Sequence, residues 1–536
     1  MPKKVAIVGA GISGLVSLKC CLDEGLEPTC FERSDDIGGI WQFKENVEEG
    51  RPSIYKSLIS NSCKEMSVFS DFPYPEDFPV FLPNARLLEY LEMYTKHFDL
   101  RRHIQFKTKV INISKCPDFS ATGQWDVITE TEGEQKSAIF DAVMVCIGFL
   151  TNPRMPLTSF PGIEKFNGMY LHSRHYKNAE VFRDKRVLVI GMGNSGVDIA
   201  VAATHTAKKV MISTSTGAWT LSRVFDNGYP WDMVFLTRFM NIVRNSLPGR
   251  ITAWLVANRA SQWFDHANYG IIPEDRSVMR EPVLNDELPA CILTGKITIR
   301  PEVKTFKENA VIFANTPEAE DVDVVVFATG YKASFPFIDE SVIKVENKHA
   351  SLYKYIFPPQ LEKPTLALIG FFKPFGPVIP AVEIQARWVT RVFNGLCKLP
   401  PVNIMVKEVN EIKKNKKKFQ RFGTSRNQSI QTDFIEYLDE LAVELGSKPK
   451  VFPLLLRDPQ LAMRIFFGPC SPFQYRLMGP GKWAGARDAI FTQKERIIKP
   501  TKTRVVGNSP SYNQFFLLKI SGIIVVLATI FLISTN

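Results

Sequence analysis

The sequence predicts an α/β protein built on two Rossmann-like dinucleotide-binding domains, followed by a C-terminal transmembrane helix. Two glycine-rich turns, at residues 9–14 and 191–196, each lie between a short apolar run and a helical pattern, which is the order expected of a nucleotide-binding strand, turn and helix. A long apolar segment, residues 515–533, lies almost at the end of the chain. The 536 residues exceed what one hydrophobic core usually organises, so at least two domains are expected.

The composition is that of an ordinary globular protein, with 45% hydrophobic and 23% charged residues. The formal net charge of +11 suggests nucleic acid, a membrane surface or phosphate-bearing cofactors as partners. No nucleic-acid-binding motif accompanies this charge, so a basic surface that faces a membrane is favoured and no nucleic-acid partner is expected. The nine cysteines are scattered without metal-ligand spacing, which predicts reduced thiols, no disulfide and no metal site.

The first glycine-rich turn follows the apolar run at residues 5–8, which we predict to be a buried parallel strand. Gly9 makes the tight turn, Gly11 lets the backbone approach a pyrophosphate, and Gly14 lets the helix pack on the strand. The N-terminus of the following helix offers free N–H groups and a positive dipole end to the phosphates. The same glycines and the polar helix end argue against a signal peptide, despite the lysines near the N-terminus.

The second strand of this unit, residues 28–31, ends in Glu32, about 20 residues after the turn, where a carboxylate hydrogen-bonds ribose hydroxyls. A carboxylate at that point disfavours a 2′-phosphate, so the first site suits FAD rather than NADP. A further pair of glycines at residues 38–39 follows the acid, as in flavoproteins with two dinucleotide-binding domains.

The second unit begins with the predicted strand at residues 186–190 and continues through the turn into a helix that opens near Val197 and Asp198. The strand that would carry the ribose-binding acid ends in Ser213 and Thr214 instead, and Arg223 lies in the loop beyond it. Hydroxyls and an arginine can bind a 2′-phosphate that a carboxylate would repel, so this second site favours NADPH over NADH.

We predict an FAD domain made of two chain segments with the NADPH domain inserted between them. The predicted boundaries are 1–155 and 331–445 for the FAD domain, 156–330 for the NADPH domain with an inserted subdomain at about 225–295, 446–510 for a cap and basic linker, and 511–536 for the tail.

The inserted subdomain contains apolar residues at helical spacing from Leu236 to Leu247, and Arg238 and Arg244 lie elsewhere on the helical turn. Ile251 and Trp254 open a further helix. Basic amphipathic helices with exposed tryptophan suit a membrane interface, although packing on the protein's own core is the alternative.

The C-terminal apolar segment is long enough to span a hydrocarbon core of ~30 Å as a helix. Five basic residues precede it: Lys494, Arg496, Lys499, Lys502 and Arg504. Positive charge on this side predicts a tail anchor with the catalytic domains in the cytosol, and the membrane expected of such an anchor is the endoplasmic reticulum.

One stretch between the two units identifies a family. Residues 166–176, FNGMYLHSRHY, match the motif FxGxxxHxxxY, and residues 327–331, FATGY, match a second element of the same proteins. Further similar stretches are residues 61–66, 230–231, 383–388 and 467–470. On these motifs the chain resembles the vertebrate flavin-containing monooxygenases from residue 5 to the tail, and thus a two-dinucleotide-binding-domain flavoprotein.

The resemblance implies a reaction. NADPH passes hydride to FAD, reduced FAD adds O2 at C4a, and the resulting hydroperoxyflavin oxygenates soft nucleophilic nitrogen and sulfur atoms of small lipophilic xenobiotics such as tertiary amines and thioethers. It also implies that Asn61 is the catalytic residue, which holds NADP⁺ over the flavin and stabilises the oxygen intermediate. The predicted FAD contacts are Gly9, Ala10, Gly11, Ile12, Ser13, Gly14, Glu32, Gly39, Ile40, Trp41, Asn61 and Ser62. The predicted NADP contacts are Ser60, Asn61, Gly191, Gly193, Asn194, Ser195, Gly196, Val197, Asp198, Ser213, Thr214 and Arg223.

Several alternatives stay open at this point. A Baeyer–Villiger monooxygenase of ketones usually carries tryptophan where Tyr176 stands, an NADPH oxidase would release peroxide without product, and a binding protein could retain FAD without turnover. A disulfide reductase of the same fold would need a redox cysteine pair at the flavin, and Cys20 and Cys21 in the first predicted helix cannot supply one. The preferred substrate and the oligomeric state, including a possible homo-oligomer, do not follow from the sequence.

Overall fold

The structure, a computed structural model, describes residues 2–273, 282–343, 345–346, 349–414 and 431–504. The predicted transmembrane tail, residues 511–536, lies outside the described residues. Within the described part of the chain, no helix combines the length and the apolar character needed to cross a membrane.

The first chain segment contains ten strands and three helices within its described residues. They are β1 (Lys4–Val8), α1 (Ile12–Asp23), β2 (Glu27–Phe31), β3 (Ile59–Cys63), β4 (Phe81–Pro83), α2 (Asn84–His97), β5 (Ile104–Gln105), β6 (Thr108–Lys115), α3 (Phe119–Thr122), β7 (Trp125–Thr131), β8 (Glu134–Phe140), β9 (Ala142–Val145) and β10 (Asn152–Pro153).

The middle of the chain forms the second sheet and its surrounding helices. Its elements are β11 (Met169–His172), β12 (Arg186–Ile190), α4 (Asn194–Ala203), β13 (Lys209–Ser213), β14 (Thr220–Leu221), α5 (Trp231–Phe235), α6 (Arg238–Ser246), α7 (Gly249–Ala260), β15 (Val283–Leu284), α8 (Leu288–Leu293), β16 (Ile297–Arg300), β17 (Val303–Phe306), β18 (Ala310–Phe313), β19 (Ala319–Asp321) and β20 (Val324–Phe327).

The last part of the described chain returns to the first sheet and then adds a helical cap. Its elements are β21 (Tyr331–Lys332), β22 (Val345–Glu346), β23 (His349–Ala350), β24 (Leu366–Leu368), β25 (Lys373–Phe375), α9 (Ile379–Phe393), α10 (Val402–Lys414), β26 (Gln431–Asp433), α11 (Phe434–Leu445), α12 (Val451–Arg457), α13 (Pro459–Phe467) and α14 (Ala486–Ile498).

The first sheet is parallel, with strand order β24-β9-β1-β2-β5. Alternate residues of β1 face opposite sides of it: Val5 and Ile7 belong to the larger core, which includes α1 and α9, whereas Ala6 and Val8 belong to the core on the other face. From β1 the strand order continues to β2 on one side and to β9 on the other. The carboxyl ends of β1 and β9 therefore flank the crevice where ligands bind in open α/β sheets.

The second sheet repeats this arrangement with strand order β11-β20-β12-β13-β16, again parallel. Val187 and Val189 of β12 face one core, and Leu188 and Ile190 face the other. The topological switch point here lies between β12 and β20. Two Rossmann-like domains are therefore present, and this part of the predicted fold class is confirmed.

Two arginines of the inserted subdomain do not lie where the sequence predicted. Arg238 and Arg244 were interpreted as the basic side of an amphipathic helix suited to a membrane interface, but both are buried. Arg238 pairs with Asp439 at 2.6 Å and Arg244 with Asp433 at 3.0 Å, so both bind acids near the end of the described FAD domain. This basic side of α6 is an intramolecular contact and does not face lipid.

One of the five basic residues predicted to orient the tail is likewise occupied within the fold. The Arg496 guanidinium on α14 is buried and forms a two-pronged ion pair with Glu65. Lys499 pairs with Glu76 at the surface. Arg496 thus stabilises the packing of the cap on the first chain segment and is unavailable to a membrane surface.

Candidate cofactor sites and their junction

The first glycine-rich loop is a tight backbone turn that only glycine tolerates. Gly9 has φ of +100°, and a Cβ on Gly14 would lie 1.7 Å from the Gly9 carbonyl oxygen. Gly14 therefore lets α1 pass directly over the end of β1. α1 begins after Gly11 with no side chain capping it and no acidic residue in its first turn, and Ile12 and Ser13 open the helix. The first N–H groups of α1 are thus available to an anionic group.

Glu32 closes this loop from the end of β2. It is 7% exposed, and its carboxylate accepts hydrogen bonds from the Ala10 amide at 2.7 Å and from the Ser34 amide and hydroxyl, each at 2.8 Å. The Glu32 carboxylate therefore fixes the backbone of the first glycine-rich loop at the end of β2, where the ribose of a bound dinucleotide would lie.

A second turn covers the loop. Gly38 donates from its amide to the Ala10 carbonyl at 3.0 Å, and residues Gly39–Trp41 form a short 3₁₀ turn. A Cβ on Gly39 would lie 3.0 Å from the Cα of Gly11. The two glycine backbones thus face each other without side chains, and Ile40 and Trp41 are half-buried beside them.

The second glycine-rich loop repeats the first. Gly191 has φ of +109°, and a Cβ on Gly196 would lie 2.2 Å from the Gly191 carbonyl oxygen. α4 begins after Gly193 without a side-chain cap or an acidic first turn. In the part of the chain that the structure describes, no atom lies within 4 Å of a Cβ placed on Gly193, whereas the corresponding position at Gly11 meets the backbone of Gly39.

Some predicted NADP contacts use their side chains to hold the protein together. The Asn194 side-chain carbonyl oxygen accepts a hydrogen bond from the Leu284 amide at 2.9 Å. The Asp198 carboxylate accepts from the Tyr55 hydroxyl at 2.6 Å and from the Asn285 side-chain amide at 3.0 Å. Ser195 continues the first turn of α4 beside them, and Val197 is buried. α4 is thereby tied both to the inserted subdomain and to the first chain segment.

The hydroxyl groups at the end of β13 are also engaged. Ser213 is buried and donates to the Pro301 carbonyl at 2.8 Å, and the Thr214 hydroxyl accepts from the Gly217 amide at 3.0 Å. Ser60, on β3, is likewise buried, with its hydroxyl between the Leu82 amide and the Ser62 carbonyl. The hydroxyl protons of Ser213 and Ser60 are therefore already donated within the protein, and each oxygen keeps acceptor capacity.

Asn61 lies on β3 and is contacted by residues of the NADPH domain. Its side-chain carbonyl oxygen accepts from Arg223 Nη2 at 2.9 Å, and its main-chain carbonyl accepts from Trp231 Nε1 at 2.8 Å. Arg223, predicted to bind a 2′-phosphate, therefore contacts the predicted catalytic residue. The sequence predicted no such contact, although residues 230–231 were already among the motifs that carried the family resemblance.

Asp232, which follows Trp231 in the chain, is a buried acid that contacts β3. It is fully buried, one carboxylate oxygen accepts from the Cys63 amide at 2.9 Å, and the other has no hydrogen-bond partner among the described residues. Burial raises the pKa of Asp232 to about 6, while hydrogen bonds from the Cys63 backbone and thiol act in the opposite direction. The sequence analysis did not single out this residue.

His172 of the family motif lies where the chain returns from the second sheet. Its Nε2 hydrogen-bonds the Gly330 carbonyl at 3.0 Å, and its Nδ1 accepts from the Arg174 amide at 3.1 Å. Burial lowers the pKa of His172 to about 4, so the ring is neutral at physiological pH. Its Nε2 joins this segment to Gly330 at the domain junction, and its Nδ1 caps the turn that follows it in the chain.

These residues fit two dinucleotides. Each glycine loop leaves bare backbone and uncapped helix N–H groups at the switch point of a parallel sheet, where a pyrophosphate binds. Among the described residues no cluster of histidine, cysteine, aspartate or glutamate could hold a metal ion, and all nine cysteines are free thiols.

Comparison with known proteins extends over nearly the whole chain. The family model for flavin-binding monooxygenase-like proteins matches residues 2–535. Flavin-containing monooxygenase 1 of the dog (Canis lupus familiaris) is 62% identical over 511 residues, which covers 95% of this chain and 96% of the dog protein.

Solved structures of other proteins share this fold. The S-allyl-L-cysteine S-oxygenase of Allium sativum is 25% identical, superposes with a TM-score of 0.64, and the match covers 93% of this chain and 99% of that one. An oxidised steroid monooxygenase bound to NADP shares the fold at 17% identity, with a TM-score of 0.58 over 83% of this chain and 97% of that one.

Proposed function

Because the chain belongs to the flavin-binding monooxygenase-like family, we propose that it uses NADPH and O2 to oxygenate soft nucleophilic nitrogen and sulfur atoms of small lipophilic xenobiotics, such as tertiary amines and thioethers. The chain is a flavin monooxygenase, and therefore an oxidoreductase, with FAD and NADPH as its cofactors. The relative from Allium sativum is named for an S-oxygenation, which supports sulfur as one of the acceptor atoms.

The observation that carries the proposal is the position of Asn61. Asn61 belongs to the first chain segment, which supplies the first glycine loop, yet its side chain and main chain are hydrogen-bonded by Arg223 and Trp231 of the NADPH domain. An asparagine side chain can donate and accept at once, so a residue at this junction can contact both cofactors.

The roles of the residues follow from where they lie. The bare backbone at Gly9, Gly11 and Gly14, with the N-terminus of α1, would hold the FAD pyrophosphate, and Glu32 the ribose. The loop at Gly191 and Gly196 would hold the NADPH pyrophosphate in the same way.

When bound, FAD accepts hydride from NADPH and activates O2, and this is the chemistry that the protein itself cannot supply. The protein orients the two cofactors, keeps water away from the junction, and presents the Asn61 amide as a hydrogen-bond donor. Within the described residues no serine–histidine–acid arrangement accompanies these groups, and oxygen transfer from an activated flavin needs none.

Rapid mixing of the full-length, detergent-solubilised protein with NADPH and then with O2 tests the proposal. We expect NADPH to bleach the flavin spectrum, and O2 consumption to match the oxygenated product formed from a tertiary amine and from a thioether. A cyclic ketone is tested in parallel. Faster turnover of the ketone would favour Baeyer–Villiger oxygenation, peroxide without product would indicate an NADPH oxidase, and an unbleached flavin would indicate a binding protein.

We also propose that the protein is bound to the endoplasmic reticulum membrane by its C-terminal tail, with the catalytic domains in the cytosol. Exposed apolar side chains support a second contact with lipid. Trp254 on α7 is 64% exposed, and Phe452 and Leu456 on α12 are 80% and 82% exposed. α6 and α13, the neighbours of these two helices, pack together through Phe239 and Phe467, whose ring centroids are 5.2 Å apart.

Deletion of residues 515–536 tests the membrane proposal. We expect catalysis to persist and part of the protein to stay with membranes, because the surface around Trp254 and Phe452 still binds lipid. Adding Trp254→Ser and Phe452→Ser to the deletion should move the protein into the aqueous fraction. Complete release by the deletion alone would leave the tail as the sole anchor.

A further inference from the structure

The hydrogen bond between Arg223 and Asn61 has a defined direction. A guanidinium has only donors, and an asparagine side chain has one carbonyl acceptor and one NH₂ donor. With Arg223 Nη2 at 2.9 Å from Asn61 Oδ1, the carbonyl oxygen must face Arg223. The Asn61 NH₂ group therefore points away from the guanidinium, and the amide cannot rotate by half a turn without opposing two donors.

Arg223 is itself fixed in place. Its side chain is 13% exposed, its Nη1 lies 3.2 Å from a carboxylate oxygen of Asp286, and its main-chain amide donates to the other oxygen at 2.9 Å. Ser222 donates to the same Asp286 carboxylate at 2.6 Å. A planar guanidinium held by a carboxylate loses little further freedom when it binds an amide, so it is well suited to orienting one.

The same stretch of chain also fixes the backbone around Asn61. The Trp231 amide donates to the Arg223 carbonyl at 3.0 Å, and the Trp231 ring donates to the Asn61 carbonyl. Asp232 accepts from the Cys63 amide, two residues along β3. Residues 222–232 of the NADPH domain thus hold both the side chain and the strand of Asn61.

We propose that Arg223 is a positioning residue for Asn61, and that it fixes the side-chain amide so that the NH₂ group donates toward the junction of the two cofactors. The inference rests on the proposed function and deepens it. It means that efficient use of NADPH depends on contact between the NADPH domain and β3. A freely rotating Asn61 would present its carbonyl oxygen to the reacting oxygen for part of the time.

This role differs from the 2′-phosphate contact that the sequence predicted for Arg223. A phosphate contact affects NADPH and leaves NADH unchanged, whereas orientation of Asn61 affects turnover with either reductant. Nη1 and Nη2 of Arg223 each donate one hydrogen bond to Asp286 and Asn61, and Nε has no partner among the described residues, so the guanidinium keeps donors for a cofactor. The two roles are therefore compatible, and the experiment separates them.

The experiment compares Arg223→Ala, Arg223→Lys and Asp286→Asn with the parent protein, each at saturating NADPH and at saturating NADH. The fraction of reductant that appears as hydrogen peroxide is the main measurement, and FAD content and unfolding temperature identify variants that fold poorly. Arg186→Ala is the matched control, because Arg186 is a partly buried arginine paired with Asp323 at the opposite, amino-terminal end of β12.

We expect Arg223→Ala to raise the peroxide fraction at least threefold with both reductants, Asp286→Asn to raise it less, and Arg186→Ala to leave it unchanged. Arg223→Lys should fall between, because an ammonium retains a donor but lacks the rigid fork. A rise in the KM for NADPH alone, with an unchanged peroxide fraction, would overturn the inference and leave only the phosphate contact.

A double variant provides the second test. If Arg223 acts through Asn61, then Asn61→Asp combined with Arg223→Ala should release no more peroxide than Asn61→Asp alone. An additive increase would contradict the inference. Failure of the proposed function is a separate result, since it would appear in the parent protein as NADPH oxidation without oxygenated product.

Discussion

The two glycine loops of this protein share one backbone and differ in their surroundings. In the first, the covering turn at Gly38–Gly39 lies against Gly11, and Glu32 closes the loop by binding the Ala10 amide. In the second, no described residue comes within 4 Å of a Cβ built on Gly193, and the loop is held indirectly, through Asn194 and Asp198 on the first turns of α4. One loop is covered by its own domain, and the other is open.

The difference corresponds to what each cofactor must do. A flavin that is reduced and reoxidised in place benefits from a loop fixed on every side, whereas a nicotinamide nucleotide must be exchanged. The same strand, turn and helix can therefore form a permanent site or an exchangeable one, depending on the contacts that neighbouring segments add.

The largest effect is expected from a substitution that disrupts the first glycine-rich loop. Gly14→Ala would place a Cβ 1.7 Å from a backbone carbonyl, so we expect the purified protein to contain almost no FAD. Gly196→Ala is its matched partner, with a corresponding distance of 2.2 Å, and should retain FAD but lose reduction by NADPH. Flavin absorbance per protein and the rate of flavin bleaching measure the two outcomes. Loss of FAD from both variants would mean that the two sites do not fold independently.

The second prediction contrasts two buried carboxylates. Both oxygens of Glu32 accept hydrogen bonds, whereas Asp232 has one oxygen without a partner among the described residues. Folding raises the pKa of Asp232 from 3.8 to about 6, so its contribution to stability is fully present below pH 3.8 and is lost as the pH rises through 6.

Asp232→Asn removes this titration. Relative to the parent protein, the variant should gain about 2 kcal/mol in free energy of unfolding between about pH 4 and pH 8. Urea unfolding at the two pH values measures the gain, with Asp226→Asn, an exposed acid on the same segment, as the control. A difference that does not change with pH would show that Asp232 is charged throughout this range.

The third prediction concerns the point where the two sites meet. Asn61→Asp replaces the NH₂ donor with an acceptor oxygen, and a carboxylate would repel negative charge that develops on activated oxygen. We expect normal FAD content, reduction by NADPH at a similar or lower rate, and about tenfold less oxygenated product per NADPH.

Hydrogen peroxide should account for the missing product. Asn178→Asp, at the surface and distant in sequence, is the control. If Asn61→Asp couples NADPH to product as well as the parent does, Asn61 has no catalytic role.

The smallest expected effect tests the open loop. A Cβ on Gly193 meets no atom of the described residues, so Gly193→Ala should leave FAD content and unfolding temperature unchanged. The methyl group would occupy space that a pyrophosphate needs, and we expect the KM for NADPH to rise about fivefold, equivalent to ~1 kcal/mol. An unchanged KM would place the NADPH pyrophosphate elsewhere along α4.

The sequence predicted those parts of the fold that local patterns determine. The roles of Gly9, Gly14, Gly191 and Gly196 follow from spacing alone, because strand, turn and helix lie within about 30 residues in such units. Glu32 was predicted in the same way, from its position at the end of the second strand. The predicted NADP contacts on α4 stay predictions, although two of them also bind other parts of the protein.

Contacts between distant segments could not be predicted. Arg223 and Asn61 lie 162 residues apart, and Arg238 and Asp439 lie 201 residues apart. A helical pattern shows which residues share a face but does not reveal which acid will meet an arginine on it. The arginines of α6 were therefore interpreted as the basic side of a membrane-interface helix, and Arg223 was assigned to a phosphate alone.

The return of β24 to the first sheet has a consequence for how the protein is made. Leu366 pairs with Val143 on β9, and α9 completes the larger core against α1. At about 5–20 residues per second, the ribosome needs roughly 10 to 50 s between releasing β9 and releasing α9. During that time the first segment must wait with an exposed sheet edge while the middle domain, complete in sequence, folds first. Mutations that slow the folding of the middle domain should therefore lower the yield of flavin-loaded protein even where they touch neither cofactor.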